Sequence, residues 1–242
     1  MIPLTHAMVL AAGLGMRMRP LTDDRPKPLL TLAGRSLLDH ALDRLAAAGV
    51  QNAVVNAHWR GEQIEAALAA RAAPRITLQR EQTLLETGGG VTMALPDLGG
   101  APFAVVNGDA FWLDGPTPAL RRLAAAFDPE QMDALLLMVR TTQVDGAVGL
   151  GDFLLDPLGR MRRPKEREIA PYLFAGVQIL APALFEDAPE GAFSLNRIYD
   201  RAIENGRLFG LVHDGVWFHL STPETLRNAE ETLRTGLQRA LF

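Results

Sequence analysis

The segment Leu10–Leu29, LAAGLGMRMRPLTDDRPKPL, constrains this chain more than any other. The residues that lead into it, His6–Ala12, form a short apolar run ending at a glycine, the pattern of a parallel strand buried on both faces. Gly13 and Gly15 follow at once. Without a Cβ the backbone can turn sharply and approach a ligand closely. Successive N–H groups in such a turn can converge on an anion. Arg17, Arg19, Arg25 and Lys27 add positive charge within the same stretch. Charge-assisted bonds to phosphate oxygens are the strong kind, and arginine can make them in pairs.

The rest of the first half alternates strand and helix signals. Ser36–Ala48 reads as a helix capped by Ser36, with Asp39 three residues on and Gly49 as its stop. Ala53–Asn56, Ile76–Gln79, Phe103–Asn107 and Ala134–Val139 read as strands. Glu62–Arg71, a segment near Thr87–Ala94, and Pro118–Phe127 read as the helices between them. This rhythm predicts an α/β fold: a Rossmann-like mixed, mainly parallel sheet with helices on both faces. Gly151–Asp156 and Tyr172–Leu180 read as strands of an added, partly antiparallel region around the charged loop RMRRPKERE. Leu195–Asn205 is expected to be helical, Leu208–Val212 and Val216–His219 to be short strands, and Thr222-Pro223-Glu224 to start a closing helix. No linker, repeat or low-complexity tract divides residues 1–242, so one domain is expected.

Composition narrows the function. A net charge of −4 gives no electrostatic case for a nucleic-acid partner. The absence of cysteine excludes disulfides, zinc–thiolate sites and thiol nucleophiles. No apolar run is long enough for a membrane span, and the first residues lack a basic n-region, so a cytoplasmic location is expected. Three readings of the glycine segment compete. A dinucleotide loop would want a third glycine where Met18 stands and an acid where the next strand ends at Asn56. A P-loop would want GxxxxGK[ST], which is absent. The third is a plain glycine turn with solvated arginines.

The full run, LAAGxGxRMRPLT followed by PKPL, resembles the opening motif of the bacterial sugar-1-phosphate nucleotidyltransferases. The resemblance continues through Ala33-Gly34, Leu85–Gly90 (LETGGG), Asn107-Gly108-Asp109, Phe174–Leu180 (FAGVQIL) and Trp217–Glu224 (WFHLSTPE), in order and over nearly the whole chain. It implies a nucleotidyltransferase fold with a sugar-binding part at roughly residues 140–215 and no appended domain. It also implies a reaction in which a sugar-1-phosphate attacks the α-phosphorus of a nucleoside triphosphate and pyrophosphate leaves. The attacking phosphate is mostly ionised at neutral pH, given a second pKa near ~6. No Ser–His–Asp or Cys–His constellation is needed, only alignment of two polyanions and neutralisation of charge.

By that resemblance Leu10, Ala11, Ala12, Gly13, Gly15 and Met16 form the nucleotide-binding loop, with Arg17 on the triphosphate. Lys27, held between Pro26 and Pro28, is expected to reach the reacting phosphates. Asp109 follows a strand end, where open α/β sheets bind ligands, and is the expected ligand for Mg²⁺, with Mn²⁺ a second option. Gly88 is expected to give the base close approach. Glu81 falls where many relatives carry a base-reading glutamine; as a carboxylate it could accept an imide N–H, or it is a solvated loop residue. Asn107 and Gly176 are sugar-side candidates by motif position.

LETGGG, the chain length and Phe193–Tyr199 (FxLxxxY) most resemble the N-acetylmuramate α-1-phosphate uridylyltransferases of cell-wall recycling; mannose-1-phosphate guanylyltransferases are the alternative. Muramate carries a lactyl carboxylate, for which Lys165 in the loop Arg160–Arg167 could be the cation, unless that loop is simply solvated. One departure stands out. Relatives close the site with W-x-D-V-G-T-P, whose Asp is a second metal ligand, whereas His219 and Ser221 replace the Asp and Gly here. His219 is then either a metal ligand or a phosphate partner. A further alternative is a non-catalytic nucleotide-sugar-binding subunit. The expected partners are a nucleoside triphosphate and a sugar-1-phosphate, with neither nucleic acid nor membrane; the sequence leaves the oligomeric state open.

Overall fold

The computed structural model describes residues 1–144 and 149–239. Residues 145–148, inside the expected sugar-binding part, and residues 240–242 lie outside the described residues. The chain runs through β1 (His6–Leu10), α1 (Leu37–Ala47), β2 (Asn52–Ala57), α2 (Gly61–Leu68), β3 (Arg75–Arg80), α3 (Glu86–Ala94) and β4 (Phe103–Asn107). It continues through α4 (Ala119–Ala126), β5 (Ala134–Arg140), β6 (Tyr172–Leu180), α5 (Asn196–Glu204), β7 (Leu208–Val212) and α6 (Pro223–Arg239).

These strands build one seven-stranded sheet in the order β7-β5-β6-β4-β1-β2-β3. All neighbours pair in parallel except β6, which is antiparallel to both β4 and β5. Alternation along each strand feeds two apolar layers. Ala7, Val9, Val55 and Val106 face α1, α2 and α4, where Leu38, Leu42, Ile64 and Leu120 are buried. Met8, Val54 and Val105 face α3 and α5 through Val91, Ala94 and Ile198. Helices therefore cover both faces, as the βα rhythm requires.

Local signals behave as their chemistry dictates. Ser36 caps α1 by accepting the Asp39 N–H at 3.0 Å. Thr222 accepts the Thr225 N–H at the start of α6. The second half departs from expectation. Tyr172–Leu180 is not part of an added region but a nine-residue strand inside the main sheet. Gly151–Asp156 pairs with that strand only through the antiparallel bridge Phe153–Tyr172, and its Leu154–Leu155 pairs with Met161–Arg162 in a small ribbon. The apolar alternation of Tyr172–Leu180 cannot tell which neighbours a strand will choose; that depends on residues far away in sequence. Val216–Phe218 pairs with Phe111–Leu113 in another short ribbon. Among the described residues no helix is long and apolar enough to cross a membrane.

Helix α3 is a poor helix by propensity, since Gly88, Gly89 and Gly90 fill its centre. Tertiary packing explains them. A Cβ on Gly88 would lie 2.3 Å from the Phe193 ring, one on Gly89 2.2 Å from the Gly191 carbonyl oxygen, and one on Gly90 3.0 Å from Asn56 Nδ2. The Gly88 and Gly89 amides both donate to the Phe193 carbonyl, at 2.7 and 3.2 Å. Gly89→Ala tests which effect wins. Propensity favours alanine by about 1 kcal/mol, whereas forcing a methyl against fixed backbone costs about 1–3 kcal/mol. A net loss of stability in urea denaturation is expected. Gly236→Ala in α6, where a Cβ would meet nothing within 4 Å, should instead be neutral or stabilising.

Candidate active site

The strand order reverses at β1: the chain proceeds outward to β2 and β3, then returns to place β4 on the other side. Ligands of open α/β sheets bind at such a switch point, outside the carboxyl ends of the strands. Leu10 and Asn107 are register partners at those ends, and Asn56 flanks Leu10 on the other side. A cleft of about 470 Å³ opens there.

Its floor is built by the glycine segment. Gly15 sits in the left-handed region at φ 62° and starts the short 3₁₀ turn Met16–Met18. Its carbonyl accepts the Thr22 hydroxyl at 2.9 Å, and a Cβ there would press within 3.1 Å of both Lys27 and Thr22. Gly13 faces open space. Arg17 is exposed on the cleft wall. Lys27 opens a second 3₁₀ turn, Lys27–Leu29, after Pro26. Its side chain is only 12% exposed, and its ammonium contacts Asp109 Oδ2 at 2.5 Å. Asp109 reaches this point because Gly108 threads a gap in which a Cβ would lie 2.8 Å from the Leu10 carbonyl oxygen; its own amide donates to that oxygen. The first and fourth strands thus deliver a lysine and a carboxylate to one spot from 82 residues apart.

Of the residues singled out in the sequence, Leu10, Ala12, Gly13, Gly15, Met16, Arg17, Lys27, Asn107 and Asp109 line this cleft. Ala11 stands just behind it and donates its amide to Asn56 Oδ1 at 2.7 Å. Gly176, at φ 79° in the irregular stretch of β6, packs against Asn107, where a Cβ would lie 3.0 Å from Nδ2.

Two expectations need correction. Glu81 is buried, and both its oxygens are engaged: Oε1 accepts from Asn56 Nδ2 at 2.7 Å and Oε2 from the Leu85 amide at 3.0 Å. It therefore braces the cleft wall from behind and presents no free edge to a base. Gly88 gives close approach to Phe193, as described above, not to the cleft. Lys165 is exposed and lies off the cleft wall. Its loop is partly self-neutralised: Arg162 makes a bidentate pair with Glu168, and Arg163 bonds Asp200 and Asn196.

His219 lies just past the ribbon in which Phe218 pairs with Phe111, and this register brings it level with Ala110, beside Asp109. Partial burial, reinforced by the positive charges of Arg17 and Lys27, holds its imidazole below the ordinary pKa against the opposing pull of Asp109 and Asp152. These surroundings favour the neutral ring over the imidazolium. Among the described residues no group of three or more His, Cys, Asp or Glu side chains is placed to hold a metal. A partly exposed Asp109 carboxylate on the cleft wall fits Mg²⁺ only in the mode that uses one carboxylate plus substrate oxygens and water.

Sequence reasoning missed several wall residues. Asn56, Leu84, Glu86, Thr87, Ser194 and Ser221 also line the cleft, together with Met18 and Pro28. Asn56 was findable as the last polar residue of a parallel strand. Ser194 was not: it is carried in by the Phe193 carbonyl clasped to α3 and by the Leu195 amide donating to Thr87 Oγ1 at 2.9 Å.

A glycine loop, a lysine–carboxylate pair and a crevice at the switch point suit a nucleoside triphosphate. The sequence model of the MobA-like NTP transferase domain matches residues 7–189. The chain belongs to the MobA-like NTP transferase family. It is 45% identical over 232 residues to the N-acetylmuramate alpha-1-phosphate uridylyltransferase of Caulobacter vibrioides, covering 94% of this chain and 96% of that protein. The protein of the same name from Neisseria meningitidis serogroup B is 37% identical, with 93% and 96% covered. The mannose-1-phosphate guanylyltransferase of Mycobacterium tuberculosis is more distant, 28% identical, with 96% of this chain and 65% of that protein covered. Among solved structures, UDP-glucose pyrophosphorylase complexed with UDP-glucose superposes with a TM-score of 0.80 at 16% identity, covering 96% and 99% of the two chains. HddC from Yersinia pseudotuberculosis complexed with GMP-PN gives 0.76 at 22%, covering 95% and 100%. The structural likeness carries the fold; the near-full-length sequence relatives make this family member a sugar-1-phosphate nucleotidyltransferase.

Proposed function

We propose that the protein transfers a uridylyl unit from UTP to N-acetylmuramate α-1-phosphate and releases pyrophosphate. The single observation that carries the substrate choice is the 45% identity over nearly the full length of both chains to an enzyme of that name. The cleft supports the chemistry. Arg17 and the open amides around Gly13 bind the triphosphate. The Lys27 ammonium moves from Asp109 to the α-phosphate region, where it offsets charge that grows in the transition state. Alignment of the two substrates supplies much of the remaining rate. A bound Mg²⁺ would neutralise phosphate charge, and Asp109, freed from Lys27, would hold it. The sugar occupies the side formed by Asn107, Gly176 and Ser194. There the lactyl carboxylate turns outward toward the charged loop that carries Lys165, beyond the cleft wall. In this reading the enzyme works in the cytoplasm, where UTP is available, and its product feeds cell-wall recycling.

Pyrophosphate release tests the reading. UTP with N-acetylmuramate α-1-phosphate should give kcat/KM at least tenfold above GTP with mannose-1-phosphate. The reverse preference would overturn the substrate assignment, and no turnover with any pair would favour the non-catalytic alternative.

A further inference from the structure

Two acids stand on the cleft wall, and only one has a partner. Asp109 is paired with Lys27, whereas Glu86 makes no ion pair or side-chain hydrogen bond among the described residues. Glu86 is exposed, opens α3, and is held at φ 58°, the left-handed region that an L side chain enters at a cost glycine would avoid. Strain of this kind at a ligand cleft points from the outlier toward a role.

A free carboxylate beside a triphosphate is repulsive unless it faces a hydrogen-bond donor away from the phosphates. The position of Glu86 meets that condition. Lys27 and Asp109 mark the phosphate end, at β1 and β4. Glu86 follows β3 and stands on the β2–β3 side with Leu84 and Asn56, and Leu84 supplies an apolar surface suited to a base. The other acid of this region, Glu81, has no oxygen to spare.

We infer that Glu86 is the residue that discriminates uracil from cytosine: its carboxylate accepts the imide N–H of uracil. This rests on the reading of the cleft as an NTP site. The chemistry separates bases with a ring N–H, uracil and guanine, from cytosine, because a carboxylate accepts but cannot donate. Uracil offers N3–H, whereas cytosine offers a bare N3 acceptor that the carboxylate would repel. Rejection is then as much a part of the selection as attraction.

Calorimetric titration of the full chain with UTP and with CTP, without sugar phosphate, tests this. Wild type should bind UTP more tightly than CTP. Glu86→Gln, which can donate to cytosine N3, should reduce that ratio by about tenfold or more, the scale of one hydrogen bond to a charged group. Glu86→Gly should also lose the preference while melting no lower than wild type, since it relieves the backbone. A purely structural role would leave the ratio intact and move only the melting temperature. An unchanged UTP/CTP ratio in Glu86→Gln overturns the inference. So does an unchanged ratio with a raised KM for the sugar phosphate, which would assign the carboxylate to a sugar hydroxyl. Failure of wild type to bind any NTP would bring down the reading of the cleft itself.

Discussion

Asp109→Asn is expected to lower kcat by at least about a thousandfold while the protein stays folded. The substitution keeps the shape of the side chain and removes its charge. Stability should change little, because the amide oxygen of the replacement can still accept from the nearly buried Lys27 ammonium and the acid's side of the pair is 38% exposed. The chemistry should suffer far more. A metal's stabilisation of transition-state charge is worth several kcal/mol, and each ~1.36 kcal/mol is tenfold in rate. Stopped-assay turnover and a thermal melt on the same preparation separate the two effects. Nucleotide-dependent Mn²⁺ binding supplies a readout apart from activity and should weaken in parallel. Turnover near that of wild type would remove Asp109 from the site.

Lys27→Ala should lower kcat by about a hundred- to a thousandfold, as loss of one preorganised donor to a developing charge does. The KM for the sugar phosphate should move little, because the proposed sugar side of the cleft uses Asn107, Gly176 and Ser194 instead. A group used mainly in the transition state affects kcat and kcat/KM alike. In the free protein Lys27 neutralises Asp109 at 2.5 Å. The variant therefore leaves that carboxylate unpaired, and free-protein affinity for Mn²⁺ should rise even as the rate falls. Loss of sugar-phosphate binding with unchanged triphosphate handling would contradict the assignment.

The sequence by itself determined the parts of this protein that local physics dictates. The short apolar run His6–Ala12, ending at a glycine, had to be a buried parallel strand, and Ser36 with Asp39 had to start a helix. The chemistry of the glycine loop, Lys27 and Asp109 was also local, since the Gly108 turn and the Pro26–Pro28 bracket fix where those side chains emerge. Only the tertiary structure decided which strand neighbours which, because strand pairing is a contact between distant residues and leaves no periodic trace in either one. That is why the alternation in Tyr172–Leu180 does not reveal its place inside the main sheet. The roles of Glu81 and Gly88 reversed for the same reason. Their type and position suggested contact with a ligand, yet what meets them is Asn56 in one case and Phe193 in the other. A carboxylate whose two oxygens are satisfied from within the fold has nothing left to offer a base, and no feature near residue 81 in the sequence announces that Asn56 and the Leu85 amide will arrive there.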